Sequence, residues 1–200
     1  MSVRYNAEKL YQNFVHIYHE AVPNPNSMKF VLNFMLMDEG AIGKEYVSAA
    51  STHDSPLAEE LFKYEFTDKI FIAKNFVTLT RKASYDWADI VPVVRNFIKT
   101  FLEEGEKVFL ESEEKIEQNQ DSEIVTKIKD ILEEYVRPAV EGDGGAINFD
   151  SFDEASGKVT VVLQGACSGC PSSTITLKAG IENLFKKMMP EEVQEVEALG

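Results

Sequence analysis

Both cysteines of this 200-residue chain fall in one tetrapeptide, Cys167-Ser168-Gly169-Cys170. Two cysteines scattered at random over this length would stand three apart about one time in a hundred, so the spacing points to selection. Two intervening residues let both sulfurs converge on one centre, and thiolate is the form that binds metal or attacks a disulfide. The motif follows a strand-like run and precedes a helix-like run that begins near Pro171. The partly positive N-terminus of that helix points back at the sulfurs and favours thiolate. Gly165 and Gly169 permit the sharp backbone that such a loop needs.

Four chemistries compete for the pair. Two buried structural cysteines need no ligand at all. A closed zinc site needs four ligands, and one C-x-x-C provides two. The histidines, His16, His19 and His53, all lie in the other half of the chain. The spacing of His16 and His19 is too short for the usual finger, and on a strand the two face opposite sides, so they read as surface residues. Thiol–disulfide exchange is the third reading, but a thioredoxin-like domain continues well beyond its C-x-x-C, and here the chain ends at Gly200. The fourth is an iron–sulfur cluster. A cubane wants four thiolates, one chain brings two, and a symmetric dimer brings four at its axis. A centre held by two ligands per chain at an interface is easily handed on, so the stoichiometry suggests delivery more than electron transfer.

The elements that must position this loop follow from hydrophobic spacing. Ile124, Ile128, Ile131, Leu132 and Tyr135 recur at helical intervals after a cap at Asp121 or Ser122, and Arg137-Pro138 with Gly142-Asp143-Gly144-Gly145 ends that helix. Strands over 146–152 and 158–164 flank a turn at 153–157. A second helix buries Leu177, Ile181, Leu184, Phe185 and Met188 before Pro190 stops it, and Val193, Val196 and Ala198 return as a short strand. The expected order is α-β-β-α-β.

In the first half, strands over 28–34 and 70–81 are rich in Val, Ile, Phe and Thr, with Lys74-Asn75 as a hairpin turn. Ser55-Pro56 opens one helix and Asp86 another, whose Ile90, Val94, Phe97, Ile98 and Phe101 form one apolar stripe. The expectation is an α+β fold: two small α/β sandwich domains, 1–102 and 121–200, joined by an acidic linker over 103–120.

Composition supports that division. Apolar residues make up 44% and charged residues 27%, which fits globular domains rather than disorder or a fibrous repeat. The 20 basic and 34 acidic groups leave −14, a surface that repels nucleic acid and anionic membrane alike. The segment around the linker is rich in Glu and Gln and short of aliphatic residues, which keeps a chain extended. Val159 to Leu177 carries no charge, but Gln164, Pro171 and a cluster of Ser and Thr mark a buried strand and a site rather than a membrane span. The first residues show neither an apolar leader core nor an Arg-rich transit pattern, which sets the expectation of a cytoplasmic protein. No phosphate loop, Ser-His-Asp set or paired carboxylates stand out, so an enzyme is not expected.

The run Gln164-Gly165-Ala166-Cys167-Ser168-Gly169-Cys170-Pro171-Ser172-Ser173, with Thr176-Leu177-Lys178 and Gly180-Ile181-Glu182, resembles the C-terminal domain of NifU, the Nfu-type iron–sulfur scaffold. Arg137-Pro138-Ala139-Val140 and Asp143-Gly144-Gly145 match the same family in the same order. Pro23-Asn24-Pro25-Asn26-Ser27-Met28-Lys29-Phe30, Ser55-Pro56-Leu57-Ala58 and Phe76-Val77-Thr78-Leu79-Thr80 resemble the Nfu N-terminal domain. The resemblance implies a 4Fe-4S cluster bridging a homodimer through Cys167 and Cys170, received from a donor scaffold and passed to apo iron–sulfur proteins. It also implies that the first domain recognises partners. Ala146 departs from it, standing where many relatives carry an acidic residue. The alternative from another class is a thiol–disulfide redox protein using the same pair, and a zinc-stabilised adaptor comes third.

Overall fold

The structure, a computed structural model, describes residues 14–38, 41–110, 121–168 and 171–200, with side chains in the last stretch from Thr174 onward. Gly169, Cys170 and residues 111–120 of the expected linker lie outside the described residues, as do the first thirteen. The chain is α+β and divides into two compact units, Met1–Ala21 with Met28–Glu113 and Val22–Ser27 with Glu114–Gly200.

The first unit carries strands β1 (Ile17–Ala21), β2 (Ser27–Leu32) and β3 (Lys44–Tyr46), helix α1 (Pro56–Phe62), strands β4 (Thr67–Ala73) and β5 (Phe76–Arg81), and helix α2 (Trp87–Glu103). The sheet order is β1-β2-β5-β4-β3. Ser55 caps α1 by accepting the Ala58 N–H at 3.2 Å, and Asp86 caps α2 by accepting the Ala88 N–H at 2.8 Å. Pro92 sits early in α2, where a missing N–H costs little. The stripe Ile90, Val94, Ile98 and Phe101 is buried against alternate strand residues Phe30, Leu32, Ile70, Ile72, Val77 and Leu79. Each such side chain contributes roughly 1.5–3 kcal/mol through burial, so this face holds the unit together. The Lys74-Asn75 turn joins β4 to β5 as expected, with Lys74 at φ +31°.

The expected linker boundary at residue 103 needs correction. Glu103 is the last residue of α2, and the chain beyond it returns to the first unit. The Val108 carbonyl accepts from the Ser55 hydroxyl at 2.7 Å, and the Leu110 N–H donates to the Asp54 carbonyl at 2.8 Å. Val108 is 6% exposed and belongs to the core, with Phe109 packed beside it. The acidic composition of the segment masked the apolar pair Val108-Phe109, whose packing outweighs the tendency of its neighbours to stay solvated.

The second unit carries α3 (Glu123–Ile131), a π-helical turn (Leu132–Val136), α4 (Arg137–Gly142), β6 (Gly145–Asp153), β7 (Lys158–Gly165), α5 (Pro171–Met188) and β8 (Glu195–Leu199). Arg137-Pro138 and Gly142-Asp143-Gly144-Gly145 are read from the sequence as ending this helix; it runs through Arg137-Pro138 and ends at Gly142. Pro138 has no N–H to give, and the backbone accommodates it with a wider turn in which the Arg137 N–H reaches Leu132. Arg137 pairs with Glu133 and, at 4.0 Å, with Glu141. The sheet order is β6-β7-β8, antiparallel between the first two and parallel between the last two, so α5 is the crossover. Helix and sheet meet over Ile128, Val140, Val161, Leu163, Ile181, Phe185 and Val196. No helix among the described residues is long and apolar enough to cross a membrane.

Candidate metal centre

The cysteine loop is built where β7 ends and α5 begins. The β6–β7 ladder closes on the pair Gly145↔Gly165. Gly165 then takes a left-handed φ of +68°, which turns the chain out of the strand. Gly144, at φ +77°, does the same where α4 enters β6. These two bends face each other, and the Ala166 N–H donates to the Gly144 carbonyl at 3.2 Å. Within the loop the Ser168 N–H donates to the Gly165 carbonyl, also at 3.2 Å. Further back, Asn148 Nδ2 donates to Gln164 Oε1 at 2.9 Å and ties the strands just before the bend.

Cys167 is buried, 6% exposed, and belongs to the core of the second unit. Its carbonyl accepts from the Thr174 hydroxyl at 3.3 Å, which ties the loop to the first turn of α5. A Cβ placed on Gly145 would stand 2.8 Å from the Cys167 Sγ and 2.5 Å from the Gln164 carbonyl oxygen. The Asp143-Gly144-Gly145 turn therefore forms one wall of the sulfur's site. Sequence reading treated these residues as the end of a helix and missed that wall. It also passed over Thr174, which a hydroxyl residue in the first turn after a ligand loop could have flagged.

Among the described residues no group of three or more His, Cys, Asp and Glu side chains could hold a metal ion. His16, His19 and His53 are exposed and belong to the other unit. One soft sulfur donor in a glycine-bounded loop suits iron–sulfur or zinc chemistry and does not by itself complete either. The residues fit a cluster ligand to that extent: a thiol at a strand–helix junction whose backbone carbonyl is tied to α5.

Two family profiles match the chain. "Scaffold protein Nfu/NifU N terminal" matches residues 17–105 and "NifU-like domain" matches residues 128–197. A NifU-like protein of Schizosaccharomyces pombe is 36% identical over 191 residues, which span 92% of this chain and 73% of that one. The chain belongs to the Nfu/NifU scaffold family. NifU-like protein 4, mitochondrial, of Arabidopsis thaliana is 36% identical over 86% of this chain and 62% of its own. The NFU1 iron-sulfur cluster scaffold homolog, mitochondrial, of Drosophila willistoni is 36% identical over 88% of this Nfu chain and 60% of its own. This chain thus spans about three fifths of the length of these two relatives. A solution structure of a NifU-like protein from Saccharomyces cerevisiae aligns with a TM-score of 0.45 at 20% identity, over 56% of this chain and 93% of that one.

The expectation of a cytoplasmic protein is overturned by the Arabidopsis and Drosophila relatives, which are named as mitochondrial. That expectation rested on the composition of the first residues.

Proposed function

We propose that this Nfu protein carries a 4Fe-4S cluster between two copies of itself, with Cys167 and Cys170 of each copy as ligands, and passes it to apo iron–sulfur proteins. The observation that carries the reading is the placement of both cysteines of the chain in one loop inside the NifU-like domain. Two thiolates per chain are half of what a cubane requires, and a second copy is the simplest source of the other half. The cluster is cargo here. Each recipient thiol gives up a proton as it forms an iron–sulfur bond, and each departing carrier thiolate takes one up, so the hand-over needs neither oxidant nor reductant. In this reading the protein is not an enzyme, and a donor scaffold supplies the cluster.

The first domain, matched over 17–105, selects the recipient in this proposal, and the acidic segment beyond Leu110 tethers it to the carrier domain. Anaerobic reconstitution tests the central claim. The expected product is a brown dimer with about four irons and four sulfides per two chains. A colourless monomer that reduces disulfides would replace this reading with the thiol redox one.

A further inference from the structure

The thiol on which the proposed function depends is turned inward. Cys167 sits in the core of its own unit, whereas a sulfur that shares iron with a second chain must face out of its fold. What makes the inward seat possible is the residue opposite. A Cβ on Gly145 would lie 2.8 Å from the Cys167 Sγ and 3.2 Å from its Cβ, distances at which carbon and sulfur repel strongly. Conformation does not explain this glycine. Among the described residues the left-handed glycines are Gly105, Gly144, Gly157, Gly165 and Gly200, and Gly145 is not one of them. Its backbone is open to any residue, and only space forbids a side chain. The Gln164 carbonyl oxygen, 2.5 Å from that Cβ, and the sulfur together border the volume that residue 145 leaves empty.

We propose that Gly145 is a positioning residue: its missing side chain forms a notch that seats the Cys167 sulfur inward, and a sulfur that holds iron has to leave it. The second half rests on the reading of Cys167 as a ligand; the first half does not. The notch gives the loop two stations. One shields the thiol from solvent oxidants and stray metal, and the other presents it to iron. The backbone bond from Ala166 to Gly144 and the Thr174 hydroxyl on the Cys167 carbonyl hold the loop at both ends, so the sulfur can change station by side-chain and local backbone rotation.

Site-resolved alkylation of the full cluster-free chain with iodoacetamide, read by peptide mass spectrometry, tests this. Cys167 of the folded wild type should react at least about tenfold more slowly than in concentrated guanidinium, because a buried thiol must first be exposed. Gly145→Ala should raise the folded rate about tenfold while circular dichroism stays unchanged. Gly180→Ala is the control: a Cβ there meets nothing within 4 Å, and the rate should not move. A folded wild type alkylated as fast as the denatured chain overturns the proposal, and so does a folded Gly145→Ala with the wild-type rate. If Gly145→Ala does not fold, Gly145→Ala/Cys167→Ala decides. Recovery of folding supports the sulfur as the group the methyl strikes; continued failure overturns it in favour of the Gln164 carbonyl. None of these measurements involves iron, so a chain that takes up no cluster would remove the proposed function and leave the notch standing.

Discussion

The Ser55 hydroxyl serves two partners: it accepts the Ala58 N–H at 3.2 Å and donates to the Val108 carbonyl at 2.7 Å. One oxygen thus starts a helix and fastens a segment 53 residues further along. Ser55→Ala should lose the cap and leave a buried carbonyl unpaired, a cost of about 2 kcal/mol. Urea unfolding followed through Trp87, the single tryptophan and the first residue of α2, reads this unit directly. A shift below about 0.5 kcal/mol would show that the segment holds without Ser55.

Asp54, next to it, faces Lys44 at 3.0 Å, and the Lys44 ammonium lies 5.5 Å from the centre of the Phe109 ring. Burial pushes the Asp54 carboxyl up, but hydrogen bonding to Lys44 and Tyr46 and the Lys44 charge outweigh it and hold the group below its ordinary value. A lowered carboxyl stabilises the fold above the ordinary carboxylate range and loses that contribution as pH falls through the lowered value. Asp54→Asn should therefore be about 1 kcal/mol less stable than wild type at neutral pH, the pair being partly exposed. The gap should close in acid. A gap that persists unchanged below the carboxylate range would exclude the Asp54 charge as its source.

Lys74 holds a left-handed φ of +31° in the β4–β5 turn, a conformation that burdens any residue with a Cβ. Its carbonyl accepts from Leu36 and Met37 N–H groups, and these contacts keep the turn in place. Lys74→Gly should stabilise the first unit by up to about 1 kcal/mol, since glycine removes the steric penalty and leaves those backbone bonds intact. Thermal unfolding at the Trp87 signal measures it, and a lower midpoint would contradict the argument.

Cys167→Ser and Cys170→Ser should each abolish iron uptake and cluster-dependent dimerisation while the far-ultraviolet spectrum stays that of wild type. Iron analysis and mass measurement under anoxic conditions check this. Full iron in either variant would remove that residue from the ligand set.

Much of this architecture was legible in the residues because local signals agreed with the tertiary fold. The α2 stripe from Ile90 to Phe101 and the Ser55 and Asp86 caps each combine a period with a cap, and β6 and β7 lie within a residue of their expected bounds. Strands β1 and β3 carry too little pattern: β1 is largely exposed at a sheet edge, and β3 is three residues long. The docking of Val108 was hidden by its acidic neighbours, since its partner Ser55 is distant in sequence. At the centre, the cysteines announced themselves by spacing. The Gly145 wall did not, because a glycine required for space looks in sequence like one required for a turn.

The π turn at Leu132–Val136 leaves the second unit with a helix that carries one surplus residue in its winding. Such a winding can shed a residue and become an ordinary helix, provided the ring of Pro138 goes as well. Shortening this stretch by one residue while replacing Pro138 with alanine would keep the buried faces before and after it in phase. The Asp143-Gly144-Gly145 turn would then reach β6 unrotated, so this helix is one place where a change of length would leave the thiol's surroundings in phase.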